Sequence, residues 1–297
     1  MKYRQALPHD KDFISGLLSI SCEKPEMGIG YPGGTIDEVE QELNAIGKII
    51  EESFIIAEDS GISIGCAGIF DASWGLYIIG PLFNAVYYNH QNIADLFADM
   101  LKMKKLAGKT IRVDAKESNI TLITALESMD FRHDYSGISM SYNLNKSAPE
   151  AISAEIIEIT SGDNEHLSRI NEIFTAYLEP WEDHDISDLE ECLEEGNVIA
   201  AAFDNGVIAG AIVWEWGGDY GEIEYICIDK MYQRKGYARQ LMDYAVNKIH
   251  ATADNSNENM LYLDVAQNNK PALDFYINYG FTIEFLRKVY EKKTKSE

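Results

Sequence analysis

Basic residues are scarce in this chain. Against 49 Asp and Glu there are only 25 Lys and Arg in 297 residues, which leaves a net charge of −24 and a pI of about 4.5. A polyanion needs a basic face to bind, so the balance argues against nucleic acid and against an anionic membrane surface as partners. It suits a cationic small molecule or a basic peptide. Cysteine is sparse and scattered: Cys22, Cys66, Cys192 and Cys227 form no C-x-x-C pair, so neither a zinc site nor a disulfide framework is expected. The six histidines show no ligand spacing, and no metal is expected. No apolar signal segment opens the sequence, and no window is long and apolar enough for a membrane-spanning helix. A cytoplasmic protein with reduced thiols is the expectation that results.

What is present is ordinary for a folded protein: 46% hydrophobic and 11% aromatic residues, in a chain long enough for two domains. Alternating and β-branched runs predict strands at Tyr3 to Leu7, Phe54 to Ala57, Ile62 to Phe70, Leu76 to Leu82, Thr110 to Val113 and Ile138 to Leu144. Helical spacing marks a segment beginning after Asp10, then Val39 to Glu51, Ile93 to Lys105 and Ile120 to Met129, with loop from Met27 to Gly34. The same order then recurs. Strands are predicted at Ile156 to Ile159, Asn197 to Phe203, Val207 to Trp216, Leu261 to Val265 and Ile283 to Tyr290. Helices follow Asp163 and span Pro271 to Tyr279. Residues recur with the elements: Asp10 and Asp163, Gly61 and Gly206, Asn119 and Asn269, Phe131 and Phe281 lie 145 to 153 positions apart. Two copies of one α+β unit account for this. The polar segment from Asn145 to Glu150 divides them into domains 1–146 and 150–297. The second part carries more of the acidity, −16 against −8 when the chain is split after residue 150.

The stretch Glu222 to Val246 organises the second copy. A run of Ile223, Tyr225, Ile226, Cys227 and Ile228 predicts a buried strand, and Leu241, Met242, Ala245 and Ile249 predict a helix. Between them lies Gln233-Arg234-Lys235-Gly236-Tyr237-Ala238. Gly236 permits a tight turn, Ala238 keeps the helix start free of bulk, and the first N–H groups of a helix have no intrahelical partner. Such a turn is an anion cradle, with Arg234 and Lys235 adding charge. It is neither a Walker A loop nor a G-x-G-x-x-G turn.

The Gln233-x-x-Gly236-x-Ala238 turn resembles the acetyl-CoA-binding motif of the GNAT family, the GCN5-related N-acetyltransferases. Asn269-x-x-Ala272-x-x-Phe275-Tyr276-x-x-x-Gly280-Phe281 is similar to a second segment of that family. The resemblance implies an α+β (mixed α/β) fold of two GNAT-like units, each a mostly antiparallel mixed sheet flanked by helices. It implies acetyl-CoA as cosubstrate, with residues 233–238 at its pyrophosphate, main-chain groups of Ile226, Cys227 and Ile228 along the pantetheine arm, and Asn269 in contact with it. It makes Tyr276 the acid on the departing thiolate. With the family's turns aligned, its general-base glutamate falls on Glu222. Glu224, two residues on, shares a strand face with Glu222, and either carboxylate can be the base. Cys227 is then a core thiol.

The first copy departs from the pattern. Residues 84–92, NAVYYNHQN, hold no glycine where the cradle needs one; the position of Tyr276 is taken by Leu126 and that of Gly280 by Asp130. It is read as a degenerate copy that covers the other, as a second subunit does in dimeric relatives. The acceptor wall falls on Tyr177 to Asp185 with Asp188, Glu190 and Glu191, near Trp214-Glu215-Trp216, where aromatics among carboxylates suit a cationic amine. The expectation is acetyl transfer from acetyl-CoA to a primary amine, of a small molecule or a peptide, by direct attack in a ternary complex. The chain would be a monomer with pseudo-dimeric halves or a homodimer. A CoA-binding or regulatory protein without catalysis is the alternative.

Overall fold

The protein is described from a computed structural model, which describes residues 1–30, 36–45, 48–72, 75–103, 106–146, 151–178, 185–217, 220–252 and 259–295. The chain forms two compact units, one of residues 1–138 with 285–297 and the other of residues 139–284.

In the first unit, β1 (Lys2–Gln5) leads through a short turn of 3-10 helix, Pro8–Asp10, into α1 (Lys11–Glu23). The helices α2 (Ile36–Ala45) and α3 (Ile50–Ser53) follow, where the spacing predicts one helix from Val39 to Glu51. Then come β2 (Phe54–Asp59), β3 (Ile62–Ala72), β4 (Gly75–Phe83), α4 (His90–Met100), β5 (Thr110–Lys116), α5 (Ile120–Ser128) and β6 (Arg132–Asn143). Asp10 does not cap α1 with its side chain. Its buried carboxylate accepts from Leu7 N at 2.8 Å and is gripped by both Arg4 terminal nitrogens, at 2.6 and 2.9 Å, so it ties β1 to the helix start. The Arg4 guanidinium holds that carboxyl below the usual range.

In the second unit, β7 (Glu155–Ile159), α6 (Asn164–Tyr177), α7 (Ile186–Glu194), β8 (Val198–Asp204), β9 (Val207–Trp216), β10 (Tyr220–Ile228), α8 (Tyr237–Thr252), β11 (Met260–Ala266) and α9 (Lys270–Tyr279) lead into β12 (Thr282–Lys293). Here Asp163 does cap its helix, with its side chain on His166 N at 3.5 Å and on the His166 ring at 2.7 Å. The short helix α7, dense in acidic side chains, was not evident from spacing.

The units repeat one topology. In the first, β1, β2, β3 and β4 are successively antiparallel and β4 is parallel to β5; in the second, β7, β8, β9 and β10 are antiparallel and β10 is parallel to β11. The hairpin turns match in detail: Ser60 and Gly61 at φ +52° and +82°, Asn205 and Gly206 at +52° and +80°. Both pairs lie in the left-handed region that a tight two-residue hairpin needs.

The strand beyond each parallel pair comes from the far end of the sequence repeat. β5 is followed by the C-terminal part of β12, paired antiparallel from Arg287↔Lys116 to Lys293↔Thr110, and β11 is followed by β6. The sequence repeat divides at 146/150, whereas the packed units divide within β6 and within β12. The reason is that a closing strand is assigned by the edge it bonds to, and periodicity says nothing of that edge.

Each unit has its own core. In the first, Phe54, Ile56, Ile64, Ile79, Phe83 and Phe97 are essentially inaccessible. In the second, Leu167, Ile170, Ile173 and Phe174 form one face of α6 against Ala201, Ala211 and Val213 of the sheet. Leu241, Met242, Ala245, Val246 and Ile249 bury the matching face of α8.

Candidate functional site

The site of the second unit starts from how β10 and β11 part. They are paired only from Tyr220↔Met260 to Glu222↔Tyr262, whereas on its other edge β10 stays bonded to β9 as far as Ile228↔Gly210. Among the described residues no ladder covers the β11-facing edge of β10 beyond Glu222. A bulge falls at the same place: the ladder to β9 steps from Ile223↔Trp214 to Tyr225↔Val213, which leaves Glu224 as the extra residue.

The bulge brings carboxylates together. Glu222 lies across from Glu215 of β9, and carboxylate oxygens of Glu215, Glu222 and Glu224 lie within 4.8 Å of one another. Glu224 is exposed at its surface, beside the place where β10 and β11 part. Desolvation pushes its pKa up to about 7, helped by the charges of Glu215, Asp264 and Glu195. Desolvation and Glu195 raise Glu215 as well. Sequence reasoning grouped Glu222 with Glu224 but left Glu215 in the acceptor wall. The signal that joins them is the hairpin register, which sets Glu215 opposite Glu222.

Tyr276 stands on α9 with its ring buried, 5.3 Å from the Phe275 ring and 5.7 Å from that of Phe281. Burial pushes its phenol up, with a smaller push from the nearby Cys227, and its hydroxyl has no hydrogen-bond partner among the described residues. The Cys227 thiol is itself pushed up to about 12 by burial, which makes it a core group and no nucleophile. The neighbouring phenol, Tyr279, donates to Asp243 at 2.8 Å and lies under the Arg239 guanidinium, so it is committed elsewhere.

Behind β10 the chain makes the expected turn. Asp229 accepts from Met231 N at 3.0 Å and pairs with Arg169, and Lys230–Tyr232 form a turn of 3-10 helix. The Gln233 side-chain amide donates to Ile228 O at 3.0 Å and pins the loop to the strand end. That bond uses one of the two lone pairs of the Ile228 carbonyl, in one of the three strand residues assigned to the pantetheine arm. Arg234 at φ +62° and Gly236 at φ +90° then turn the backbone into α8. Among the described residues, no protein acceptor meets the N–H groups from Arg234 to Ala238. Successive free N–H groups at a helix N-terminus, followed by a well-packed helix, are a ready anion site. Lys235 lies over the Tyr232 ring at 4.9 Å, and Tyr237 packs against the same ring at 6.2 Å.

Asn269 is the N-cap of α9, its side-chain oxygen accepting from Ala272 N at 3.3 Å, and is otherwise exposed. Local capping explains an asparagine there, and its amide NH2 remains available. Of the acceptor wall, Tyr177 is exposed at the end of α6, Asp185 caps α7, and Asp188, Glu190 and Glu191 lie on α7. Residues 179–184, with Trp181 and His184, lie outside the described residues.

A parallel strand pair that opens at its C-terminal end, a free helix N-terminus beyond one strand and a buried tyrosine on the helix after the other define an acyl-transferase fold. Residues 167–281 match the family model described as "Acetyltransferase (GNAT) family", so the second unit carries a domain of that family, in a chain whose two units repeat one topology. The structure is similar to a GCN5-related N-acetyltransferase from Sphaerobacter thermophilus, with a TM-score of 0.68 at 16% identity, covering 99% of this chain and 96% of that one. It is also similar to a tandem GNAT protein from the clavulanic acid biosynthesis pathway, with a TM-score of 0.65 at 11% identity over 100% and 99% of the two chains. A GNAT-family acetyltransferase from Colwellia psychrerythraea aligns at a TM-score of 0.57 and 11% identity over 99% and 100%. No curated protein sequence matches the chain. The fold supports acyl transfer in general. Among the described residues, no helix is long and apolar enough to cross a membrane.

Proposed function

We propose that the second unit transfers an acetyl group from acetyl-CoA to a primary amine of a cationic acceptor, by direct attack in a ternary complex. The observation that carries this reading is the placing of Glu224, the extra residue of a bulge beside the opening of the parallel pair, with the carboxylates of Glu215 and Glu222 within 4.8 Å. Acetyl-CoA, when bound, supplies the acyl group as a thioester. The residues present fit it: free N–H groups from Arg234 to Ala238 with Arg234 and Lys235 for its phosphates, and the uncovered edge of β10 at Ile226 and Cys227 for its arm.

Glu224 takes the proton from the incoming ammonium. An alkylammonium titrates near ~10.4, so an ordinary glutamate falls about six units short of it and one near 7 only about three. Glu222 and Glu215 act on that step by their charge, and with Asp264 and Glu195 they favour a cationic acceptor. Tyr276 faces the departing sulfur. A phenol kept protonated by burial is a poor source of a fully transferred proton and a good hydrogen-bond donor. Its part is therefore to stabilise the thiolate as it forms.

The test is thiol release from acetyl-CoA across a panel of primary amines, comparing wild type with Glu224→Gln and Tyr276→Phe. Turnover that depends on the amine and is lost in both variants supports the reading. Binding of acetyl-CoA with no turnover on any amine would favour a non-catalytic CoA-binding role.

A further inference from the structure

The first unit has the same parallel pair, parted in the same way, but here the parting is filled. β4 and β5 are paired from Leu76↔Ile111 to Ile78↔Val113. Past that point the β4-facing edge of β5 is bonded instead to residues 28–30. Gly30 N donates to Asp114 O at 3.0 Å, Lys116 N donates to Gly28 O at 3.2 Å, and Ile29 pairs antiparallel with Ala115. The other edge of β5 is held by β12, so the segment occupies the parted side. It is secured at two further points: Ile29 N donates to Ser21 Oγ at 3.1 Å, and Ser118 Oγ to Pro25 O at 2.7 Å. The glycines are what let it lie so close. A Cβ on Gly28 would meet Lys116 Cδ at 2.4 Å, and one on Gly30 would meet Asp114 Cβ at 2.8 Å.

The phosphate end is closed by a different device. Tyr88, in the turn between β4 and α4, donates its hydroxyl to Asn119 Oδ1 at 2.8 Å. Asn119 caps α5, directly after β5, so this one side chain spans the C-terminal ends of both parallel strands. Asn119 is fully buried and makes two further side-chain bonds: it accepts from Leu122 N at 3.0 Å and donates to Gly28 O at 3.0 Å. The α4 N-terminus is capped at one N–H, since Asn89 Oδ1 accepts from Asn92 N at 3.0 Å, and Asn92 Nδ2 donates to Tyr87 O at 2.7 Å.

We infer that residues 25–30 and Tyr88 are a built-in plug of the first unit's groove, so that the protein takes one acyl-CoA per chain and not two. The plug bonds to the strand edge by β-augmentation, as an extended peptide ligand would, and its ordering cost is met during folding. A free ligand would have to break those bonds and unpair a buried asparagine to enter. The stoichiometry rests on the reading of the second unit as an acyl-CoA site; the plug itself does not.

Amide hydrogen exchange of the full chain, with and without coenzyme A as probe, separates the two. Peptides covering 26–30 and 112–118 are expected to exchange about 10²-fold or more slowly than unstructured chain, and to be unchanged by saturating coenzyme A. The peptide covering 234–239 is expected to slow when coenzyme A is added. Free exchange at 26–30, or any coenzyme A effect at 112–118, overturns the plug. A silent 234–239 with slow, unchanged 26–30 and 112–118 refutes the acyl-CoA reading and upholds the plug. Native mass spectrometry supplies the count: one coenzyme A per chain supports the inference, and two overturn it.

Discussion

The two units place different residues on equal scaffolds. By ladder register, Glu222↔Tyr262 in one corresponds to Tyr77↔Arg112 in the other, so Glu222 matches Tyr77; Ile79, paired with Gly68, matches Tyr225, and Glu224, the extra residue of the bulge, has no counterpart. Ile79 is fully buried, as is Leu126 in the place of Tyr276. Where one unit leaves the N–H groups from Arg234 to Ala238 without protein acceptors, the other caps its helix with Asn89. Asn269 is exposed and makes one bond to its own helix, whereas Asn119 is buried and makes three. The lesson is one of satisfaction. In the first unit the side chains at the corresponding place, Tyr88, Asn89 and Asn119, bond within the chain. In the second, donors and a strained carboxylate are left over, and unspent polar groups in a concave place are where a ligand acts.

The contrast is broken most severely at Glu224. Glu224→Gln should lower kcat/KM about 10²-fold or more at neutral pH, the usual weight of a general base. A base works deprotonated, so wild-type activity should rise with pH through about 7, and the variant should lack that inflection. Thiol release followed from pH 5.5 to 9 checks both. Stability runs in the opposite sense. Because folding raises this carboxyl from 4.5 to about 7, the fold is not taxed below pH 4.5 and is increasingly taxed as pH climbs to about 7. The melting temperature of Glu224→Gln should therefore gain on wild type over that window and hold its lead above it.

Next in size is Tyr276→Phe. The ring and its packing stay while the donor is lost, so kcat should fall about 10²-fold with little change in KM for acetyl-CoA. A wild-type rate, measured where chemistry limits, would remove Tyr276 from the reaction. Gly236→Val comes third. Its φ of +90° is strained for a β-branched residue, and the turn that aims the N–H groups should be lost. Saturating acetyl-CoA, at about 100 times its Kd, stabilises a binding protein by about 2.7 kcal/mol. That thermal shift should vanish in the variant, and an undiminished shift would dismiss the turn as the anion site. Smallest is Leu126→Met in the first unit. The swap nearly conserves volume, and turnover should stay within about twofold; a large loss would show that the first unit does more than the comparison allows.

Much of this was legible in the residues themselves. The repeat, the hairpins at Asp59-Ser60-Gly61 and Asp204-Asn205-Gly206 and the strand–turn–helix around Gly236 are written in local spacing, because φ preferences and side-chain periodicity act over a few residues. Boundaries drifted where a cap decided them: α4 starts at His90 behind Asn89, three residues before the apolar spacing indicates. The family was legible too, since its motifs sit on contiguous segments.

By itself, then, the sequence determined two α+β copies, a single intact anion turn and the loss of Tyr276's counterpart at Leu126. Only the tertiary structure decided which groups those elements bring into contact. It set Glu215 with Glu222 and Glu224 by register and bulge, tied Gln233 to Ile228, assigned β12 to β5, and laid Gly28–Gly30 along the parted edge of β5. The physical reason is that a backbone edge bonds any strand that reaches it with free N–H and C=O groups. Which segment arrives is set by the packing of the whole unit, and the glycines at 28 and 30, read locally as loop, proved to be the clearance that lets the chain fill its own groove.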